Sequence, residues 1–307
     1  MTSELSSLCS YAKGKVSVDT LSKRNYVSTE NMMPNKGGIV DAGALPSAQY
    51  TQQYIKDDIL VSNIRPYFKK IWMADDDGGC SNDVLVFRAD RGCDSTFLYY
   101  ILANDAFFNY ASATSKGTKM PRGDKTAIMQ YKVPCFNYET QLRIGKLLRS
   151  IDDRIAVNKK INDNLQQQLF SLYENMATAS PCLKEYTLSN LCDFQEGYVN
   201  PPQTHPEYFD GEVKWLRAVD INESFIIETS RTLTKAGFES AKKSALLFEP
   251  NTIAISKSGT IGRLGIIADY MCGNRAVINI APHDTNMLAF IYCFLKSKQR
   301  EFPDMAV

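Results

Sequence analysis

The sequence predicts an α+β protein made of two tandem, repeat-related domains joined by a long coiled-coil spacer helix. Two observations support this prediction. Short segments of the first half recur in the same order in the second half, and a proline-free helical stretch lies between the two sets. The length of 307 residues exceeds that of one usual domain. The hydrophobic fraction of 44% and the charged fraction of 22% are ordinary for a globular protein.

The repeat consists of an ordered series of short matches. Residues 5–9 (LSSLC) recur as residues 188–192 (LSNLC) at an offset of 183. Residues 80–86 (CSNDVLV) recur as residues 272–278 (CGNRAVI) at an offset of 192. A slowly drifting offset is typical of a duplication with loop insertions, because long surface loops cost little free energy. Two unrelated α/β domains with common strand patterns are the alternative.

Each half has the same coarse pattern of elements. Short β-rich runs at residues 59–63 and 84–88, and again at residues 252–256 and 276–280, are separated by Gly, Asp and Asn turns. An amphipathic helix follows the second run of each half. This mixture favours an α+β domain over a doubly wound parallel sheet.

A long helix is predicted between the halves. Residues 138–176 contain no proline and one glycine, and their apolar residues recur alternately four and three apart. This spacing is typical of a coiled-coil seam, here with two asparagines near its centre. The seam consists of Ile144, Leu148, Ile151, Ile155, Asn158, Asn162, Leu165, Leu169, Leu172 and Met176.

The helix defines the predicted domain boundaries. The residue before a proline avoids the helical region, so the helix is expected to end ahead of Pro181. We therefore divide the chain into a first domain at residues 1–137, a spacer helix at residues 138–177 and a second domain at residues 178–307.

The composition argues against several classes of function. No apolar stretch is long enough for a membrane span and the N-terminus lacks a signal-peptide pattern, so we expect a cytoplasmic protein. Eight scattered cysteines without CxxC spacing suit buried, reduced thiols. His205 and His283 each lie beside a proline, which disfavours a zinc site. A net charge of +1 argues against a nonspecific nucleic-acid coat, but it allows a sequence-specific binder with basic residues on one face.

The sequence contains no recognisable catalytic constellation. Residues 200–203 (NPPQ) are similar to the Asn-Pro-Pro-aromatic motif of amino-methyltransferases, but glutamine replaces the aromatic residue that would stack on a flipped base. An F-x-G-x-G turn for S-adenosylmethionine and the carboxylate spacing of metal-dependent nucleases are also missing. We interpret residues 200–203 as a loop.

Two segments suit contact with DNA. Residues 115–125 carry four basic residues and one acidic residue on a flexible backbone, which suits phosphate contact, although a solvated loop is the alternative. Residues 256–265 (SKSGTIGRLG) match neither a dinucleotide loop nor a Walker loop. Their glycines allow the backbone to approach a ligand closely, and a purely structural hairpin is the equal alternative.

These motifs resemble one known family. Residues 116–125 (KGTKMPRGDK), 151–155 (IDDRI) and 158–162 (NKKIN) are together very similar to the hallmark of the specificity subunits of Type I restriction–modification enzymes. Residues 215–217 (WLR) and 258–262 (SGTIG) resemble the target-recognition pattern of the same family. The resemblance implies two target-recognition domains, each reading one half of a bipartite DNA site, and two antiparallel helices that hold them apart.

The resemblance also implies partners. Two modification (methyltransferase) subunits would dock on the spacer helices and supply S-adenosylmethionine chemistry. Restriction subunits would supply translocation and cleavage with ATP and Mg. The specificity subunit itself would do no chemistry and hold no cofactor or metal.

The chain departs from the family pattern in two places. The first-half counterpart of SGTIG is residues 62–66 (SNIRP), which predicts a stiffer basic loop. At an offset of 192 the C-terminus corresponds to residue 115, so a counterpart of residues 116–176 is missing from the second half. We therefore expect a truncated second half, a seam whose eight apolar side chains face solvent, and a twofold self-dimer in which each helix completes the other.

The sequence thus predicts a non-catalytic, sequence-specific double-stranded DNA-binding subunit. One alternative is the recognition part of a single-chain restriction or modification enzyme, which the missing cofactor and nuclease motifs disfavour. The other is a coiled-coil scaffold without a DNA role, which would show no salt-dependent DNA affinity. Arginine can pair with guanine and lysine can position the DNA backbone. The candidate DNA contacts are Arg65, Lys116, Lys119, Arg122, Arg217, Lys257, Ser258, Thr260 and Arg263.

Overall fold

The computed structural model describes residues 2–179 and 184–305. The chain divides into two compact units, Met1–Lys160 and Ile161–Val307, with mixed helix and strand content in each. Repeated α+β units and a long helix agree with the predicted fold class. No helix within the described residues is long and apolar enough to cross a membrane.

The first unit contains two four-stranded sheets and a two-stranded one. Its strands are β1 Thr2–Glu4, β2 Cys9–Tyr11, β3 Lys15–Ser17, β4 Tyr26–Val27, β5 Tyr50–Tyr54, β6 Ile59–Ser62, β7 Ile71–Met73, β8 Gly78–Cys80, β9 Val84–Ala89 and β10 Lys132–Pro134. Its short helices are α1 Ser95–Leu102, α2 Asp105–Ala113 and α3 Lys125–Met129. The sheets have the orders β2-β9-β6-β7, β3-β5-β8-β4 and β1-β10.

Strand β6 shows why this unit has two cores. Successive side chains of a strand point to opposite faces of the sheet. Ile59 and Val61 pack with α1 and α2, whereas Leu60 packs with Tyr54 and Cys80 of the second four-stranded sheet. Because both faces are covered, the strand is a continuous apolar run rather than an alternating one.

Helix α4 spans Tyr138–Ala179, which is 42 residues. It begins where the sequence predicts and continues three residues past Met176. The proline expected to end it lies outside the described residues. The buried side chain of Gln141 anchors its start, since Oε1 accepts a hydrogen bond from Asp94 N at 3.1 Å and Nε2 donates one to Phe136 O at 2.9 Å.

Gly145 permits close contact between α4 and α1. A Cβ atom at this position would lie 2.8 Å from Asp94 Oδ1 and 3.2 Å from Phe97 N. Asp94 is the N-cap residue of α1, and its Oδ1 accepts a hydrogen bond from Phe97 N at 2.8 Å. A larger side chain would therefore push against the capping hydrogen bond itself, and this explains the one glycine of the helix.

The second unit repeats the architecture of the first. Its strands are β11 Cys192–Glu196, β12 Phe209–Leu216, β13 Phe225–Ile226, β14 Thr232–Leu233, β15 Leu247–Phe248, β16 Thr252–Ser256, β17 Leu264–Ile267, β18 Met271–Gly273 and β19 Val277–Pro282. Its helices are α5 Lys235–Glu239, α6 Leu288–Ser297 and α7 Phe302–Met305. The sheets have the orders β11-β19-β16-β17-β13 and β14-β12-β18-β15.

Strand pairing establishes the equivalence of the two units and corrects its register. Strand β4 pairs parallel with β8, as the end of β12 does with β18. Tyr26 lies opposite Gly79, and Trp215 lies opposite Cys272. Gly79 is thus the counterpart of Cys272, and the predicted alignment of Cys80 with Cys272 is wrong by one residue. The sequence match placed the two cysteines together, whereas the backbone register places them on adjacent positions.

The cysteines are mostly buried, as predicted. Cys9, Cys80, Cys192, Cys272 and Cys293 are buried, and burial raises the pKa of the Cys80 and Cys272 thiols to about 12. The prediction is wrong for Cys135, which lies between β10 and α4 and is exposed. Cys93 is half-buried, and Cys182 lies outside the described residues.

Candidate nucleic-acid interface

Two loops of the first unit meet to form a basic surface, which we call the basic loop pair (residues 63–70 and 115–124). Lys116 and Arg122 exchange two backbone hydrogen bonds of 2.9 Å and close a small hairpin. Arg65 N donates to Pro121 O at 2.8 Å, and Gly123 N donates to Asn63 O at 3.1 Å. The loop predicted to be flexible is therefore tied to the β6–β7 loop, and Arg65, Lys116, Lys119 and Arg122 belong to one surface.

Two of these four basic side chains form ion pairs at the surface. Lys116 Nζ lies 2.6 Å from Asp124 Oδ2, and Arg122 Nη2 lies 2.9 Å from Asp83 Oδ1. The hydrogen bond to Asp124 raises the pKa of Lys116 and lowers that of Asp124. Both basic groups remain largely exposed, and exposed ion pairs contribute only about 0–1 kcal/mol, so they can exchange their carboxylate for a phosphate.

Arg65 differs because its guanidinium has no partner among the described residues. Its Nε atom is buried and lacks a hydrogen-bond acceptor, and the side chain forms no ion pair within that part of the chain. A buried polar atom without a partner is uncommon in folded proteins and calls for an explanation. Because Nε is buried, an acceptor from outside the chain could reach this half-buried side chain only through its terminal Nη atoms.

The β6–β7 loop has a left-handed backbone at two non-glycine residues. Arg65 has φ 50° and Lys69 has φ 52°. Strand pairing makes Ser62 the counterpart of Ser256, so the predicted alignment of residues 62–66 with residues 258–262 is wrong by two residues. In the corrected register Arg65 corresponds to Gly259 with φ 75°, and Lys69 corresponds to Gly262 with φ 84°. The two loops thus share a left-handed residue near each end. The β6–β7 loop is nevertheless one residue longer and contains the short turn Pro66–Phe68, so the two loops differ in shape. Left-handed non-glycine residues cost about 1–3 kcal/mol each and concentrate at functional sites.

The second unit presents its predicted contacts on the hairpin between β16 and β17. Arg263 N donates to Ser256 Oγ at 2.9 Å, and Gly262 N donates to Ser256 O at 2.8 Å. Ser258 and Thr260 are exposed at the tip of the hairpin. This segment is a structural hairpin, and its role in DNA contact stays a prediction.

Lys257 lies near Arg275 and Tyr198, two exposed residues that were not predicted as candidates from the sequence. Its Nζ lies 2.7 Å from Glu196 Oε1, and its backbone N donates to Ala276 O at 2.8 Å, beside the exposed Arg275. A hydrogen bond to Glu196 raises the pKa of the exposed Tyr198 phenol. Arg275 lies inside the CGNRAVI match, where it was used only to align the repeats.

Arg217 does not join the β16–β17 hairpin through any contact found in the described residues. Its Nη2 donates to Ser230 Oγ at 2.6 Å, its Nε lies 3.7 Å from Asp220 Oδ2, and its guanidinium lies 5.5 Å from the Trp215 ring centroid. These contacts within the second unit are sufficient to fix the position of the Arg217 side chain. Its role in DNA contact stays a prediction.

The loop at residues 200–203 is irregular, as predicted. Gln203 Oε1 accepts a hydrogen bond from Arg231 Nη1 at 3.1 Å. Asn200 and Pro202 line a cavity of 250 Å³ with Tyr198 and Arg275. The glutamine at the aromatic position is thus occupied by an intramolecular contact.

The seam of α4 is less exposed than expected. Ile144, Leu148 and Leu169 are half-buried, so the expectation that all eight apolar side chains face solvent is wrong for these three. Leu148 lines a groove with Tyr99 and Tyr100, and in the second unit Leu169 lines one with Tyr292. The remaining seam residues are exposed, the apolar ones by 47% to 63%: Ile151, Ile155, Asn158, Asn162, Leu165, Leu172 and Met176.

Acidic and histidine side chains of the described residues form no cluster of three or more that could hold a metal ion. His205 Nδ1 lies 2.7 Å from Glu207 Oε1, and His283 Nε2 lies 3.2 Å from Asp193 Oδ1. The buried Asp58 accepts two hydrogen bonds from Arg88, at 2.8 and 2.6 Å. These carboxylates therefore have structural partners.

A comparison with protein families finds one family whose model matches both repeats and most of the long helix. The model of the family described as "Type I restriction modification DNA specificity domain" matches residues 1–167 and 183–306. The chain belongs to this family. It is therefore a DNA sequence-specificity subunit of a Type I restriction–modification system, a DNA-recognition protein and not itself the enzyme. The single-chain enzyme and the scaffold without a DNA role are not favoured.

Solved structures of specificity subunits are similar to this family member. The S subunit of a Type I system from M. genitalium is 19% identical with a TM-score of 0.59, over 99% of this chain and 78% of that chain. The HsdS subunit from Thermoanaerobacter tengcongensis is 17% identical with a TM-score of 0.43, over 100% and 81%. The first of these similarities supports the fold. The predicted domain boundaries at residues 137 and 177 stay a prediction.

Proposed function

We propose that each unit of this specificity subunit reads one half of a bipartite DNA sequence through its hairpin loop. The observation that carries the proposal is the convergence of Arg65, Lys116, Lys119 and Arg122 on the basic loop pair. The equivalent turn of the second unit, with Lys257, Ser258, Thr260 and Arg263, supports the same role there.

The side chains of the basic loop pair suit two kinds of contact. The guanidinium of Arg65 has no partner among the described residues, and its two Nη atoms suit bidentate hydrogen bonding to the major-groove edge of guanine. Lys116, Lys119 and Arg122 lie on the neighbouring hairpin and are all exposed, which fits contact with phosphates. Phosphate contacts position the protein, and base contacts supply specificity.

The proposal is tested by replacing Lys116, Lys119 and Arg122 together with alanine. In complex with the modification subunits, the variant is expected to bind a mixed DNA pool more weakly. The slope of log affinity against log salt should flatten by up to about three units. Each basic side chain that contacts a phosphate releases about one counterion from the DNA, and the variant lacks three such side chains. Fluorescence anisotropy across a salt series measures both quantities.

The matched control removes the same charge from another part of the first unit. Lys13, Lys15 and Lys23 are exposed and lie on or near β3. Their triple alanine variant should keep the wild-type slope. An unchanged slope in the loop variant, or an equal loss in the control, would show that the basic loop pair does not clamp phosphates.

We further propose that two modification subunits dock along α4 and bring S-adenosylmethionine. Restriction subunits would bring ATP and Mg, and the assembly would act in the cytoplasm. Every residue from position 149 to position 165 of the helix is exposed, which leaves a surface for such partners.

For the free chain we propose a twofold dimer through the exposed seam, in which a second copy supplies the facing helix. Burying a large aliphatic side chain stabilises by about 1.5–3 kcal/mol, so even partial cover of Ile151, Ile155, Leu165, Leu172 and Met176 favours association. Asn158 and Asn162 lie near the middle of the helix, where an antiparallel pair brings them close together. Buried asparagines fix such a register.

Light scattering behind size exclusion tests the dimer. Wild-type chain without partners is expected at twice the monomer mass at micromolar concentration, and the double variant I155E/L165E at the monomer mass. The variant S150E/N164E adds the same charge to exposed positions off the seam and should remain dimeric. A wild-type monomer would contradict the dimer and leave the DNA proposal intact.

A further inference from the structure

The tip of the β6–β7 loop presents two adjacent aromatic side chains to solvent. Tyr67 is 50% exposed and Phe68 is 41% exposed, and their ring centroids lie 4.8 Å apart. Both belong to the short turn Pro66–Phe68, which follows Arg65 directly. None of the residues that we propose for charge or hydrogen-bond contact requires these rings, so their exposure needs its own explanation.

The turn is held on both sides, so the rings are presented by a braced backbone. Phe68 N donates to Arg65 O at 3.0 Å inside the turn. On one side Arg65 N donates to Pro121 O at 2.8 Å. On the other side Asn35 N donates to Phe68 O, and Lys36 N donates to Lys69 O, both at 2.8 Å. A braced tip loses little conformational entropy on binding.

Three lysines belong to the segments that brace this turn. Lys36 and Lys69 both contact the exposed carboxylate of Asp105, at 2.8 and 3.0 Å. Lys70 Nζ lies 6.0 Å from the Phe68 ring centroid and donates to Thr29 O at 2.7 Å. Two exposed rings within a cationic surface match a polyanion that also offers flat apolar faces. Nucleic-acid bases have this combination of properties.

We propose that Tyr67 and Phe68 contact DNA by stacking on a base or wedging into a base step. This inference rests on the proposed DNA contact of the basic loop pair and adds a readout that hydrogen bonds do not provide. Apolar wedges open base steps partially, and pyrimidine–purine steps open at the lowest cost. The first unit therefore selects its half-site in part by how easily the DNA deforms.

The equivalent loop of the second unit has a different composition. It carries Gly259, Thr260 and Ile261 and has no aromatic ring. Its glycines allow the backbone to approach the DNA closely. The two units thus present loops at the same place in the fold but with different chemistry.

The decisive variant is Y67L/F68L, which keeps apolar side chains in the turn and removes the rings. In complex with the modification subunits, it should bind a random duplex pool about tenfold more weakly, which is the usual scale for loss of base–aromatic stacking. The salt slope should stay at the wild-type value, because no phosphate contact is lost. This separates the rings from Lys116, Lys119 and Arg122, whose removal changes the slope.

A second measurement locates the contact. A duplex pool with 5-iodouracil in place of thymine is irradiated in the complex, and cross-linked peptides are identified by mass spectrometry. Cross-links are expected at Tyr67 or Phe68 and should disappear in Y67L/F68L. The control Y50L/Y270L removes two other exposed aromatic rings and should change neither affinity nor cross-linking.

The outcomes separate this inference from the proposed function. Binding by Y67L/F68L within about twofold of wild type, with cross-links unchanged, would overturn the stacking contact while the salt-dependent binding stands. Wild-type complex without salt-dependent DNA binding would overturn both. Circular dichroism of each variant verifies that the fold is retained.

Discussion

At the scale of single residues, the most informative positions are Arg65 and Gly259. They occupy the same place in equivalent turns, and both have a left-handed backbone. Glycine adopts this conformation without a Cβ clash, whereas an L-residue pays for it. An arginine that remains at such a position is therefore better explained by what its side chain contacts than by the stability of the turn.

Paired substitutions at these positions test the argument. G259A should lower the free energy of unfolding of the second unit by about 1–2 kcal/mol. No atom lies within 4 Å of the added Cβ, so this loss reflects the backbone alone. R65G should leave the first unit unchanged or more stable and weaken DNA binding.

Urea unfolding followed by tryptophan fluorescence measures both effects separately. The chain has two tryptophans, Trp72 in the first unit and Trp215 in the second. Trp72 in a W215F background reports R65G, and Trp215 in a W72F background reports G259A. Destabilisation by R65G as large as that by G259A would contradict a strained Arg65.

At the scale of elements, the attachment of α4 to α1 depends on a contact that has no room for a methyl group. G145A improves helix propensity by about 1 kcal/mol, but the added Cβ meets Asp94 Oδ1 and the Phe97 amide. Overpacking of this kind costs about 1–3 kcal/mol. We expect net destabilisation, since the displaced atoms belong to the cap of α1.

Hydrogen exchange measures this effect locally. Amides at the start of α4 and in α1 should lose protection in G145A, while amides of the second unit should keep theirs. S150A lies on an exposed part of the same helix and should change stability by less than about 0.5 kcal/mol. Increased protection in G145A would mean that helix propensity outweighs the contact.

At the scale of the whole molecule, recognition and chemistry are expected to reside on different chains. Purified alone and incubated with labelled S-adenosylmethionine and plasmid DNA, this chain should transfer no methyl group and make no cut. The physical reason is that Gln203 stands where a methyltransferase needs an aromatic ring, and its Oε1 is bound by Arg231. Adding modification subunits should produce methylation, whereas stoichiometric labelling by the pure chain would contradict the prediction.

Much of this organisation could be predicted from the sequence because its signals are periodic. The repeat, the strands near Ile59 and Thr252, and the start of α4 follow from patterns that recur over many residues. The one-residue error at Cys80 arose because two identical residues in an alignment do not show which residues lie opposite each other on paired strands. The half-burial of Leu148 could not be predicted either, since a heptad pattern does not say which neighbours cover its ends.

The candidate site was predicted less completely than the fold. The basic residues were found because they are concentrated in one segment, and Arg65 because it aligns with the SGTIG motif. No sequence pattern singled out Tyr67 or Phe68, and only their solvent exposure marks them as candidates. Arg275 was missed because its proximity to Lys257 depends on a pairing between β16 and β19.

The equivalent placement of the two loops has a consequence for how specificity can change over evolutionary time. Each loop has two left-handed positions and lies between strands that are paired outside it. A short exchange between β6 and β7, or between β16 and β17, can therefore replace the reading chemistry without altering the cores. If each loop reads one half-site as proposed, the two half-sites can change independently, and the variety of sequences available to such a subunit grows as the product of two small repertoires.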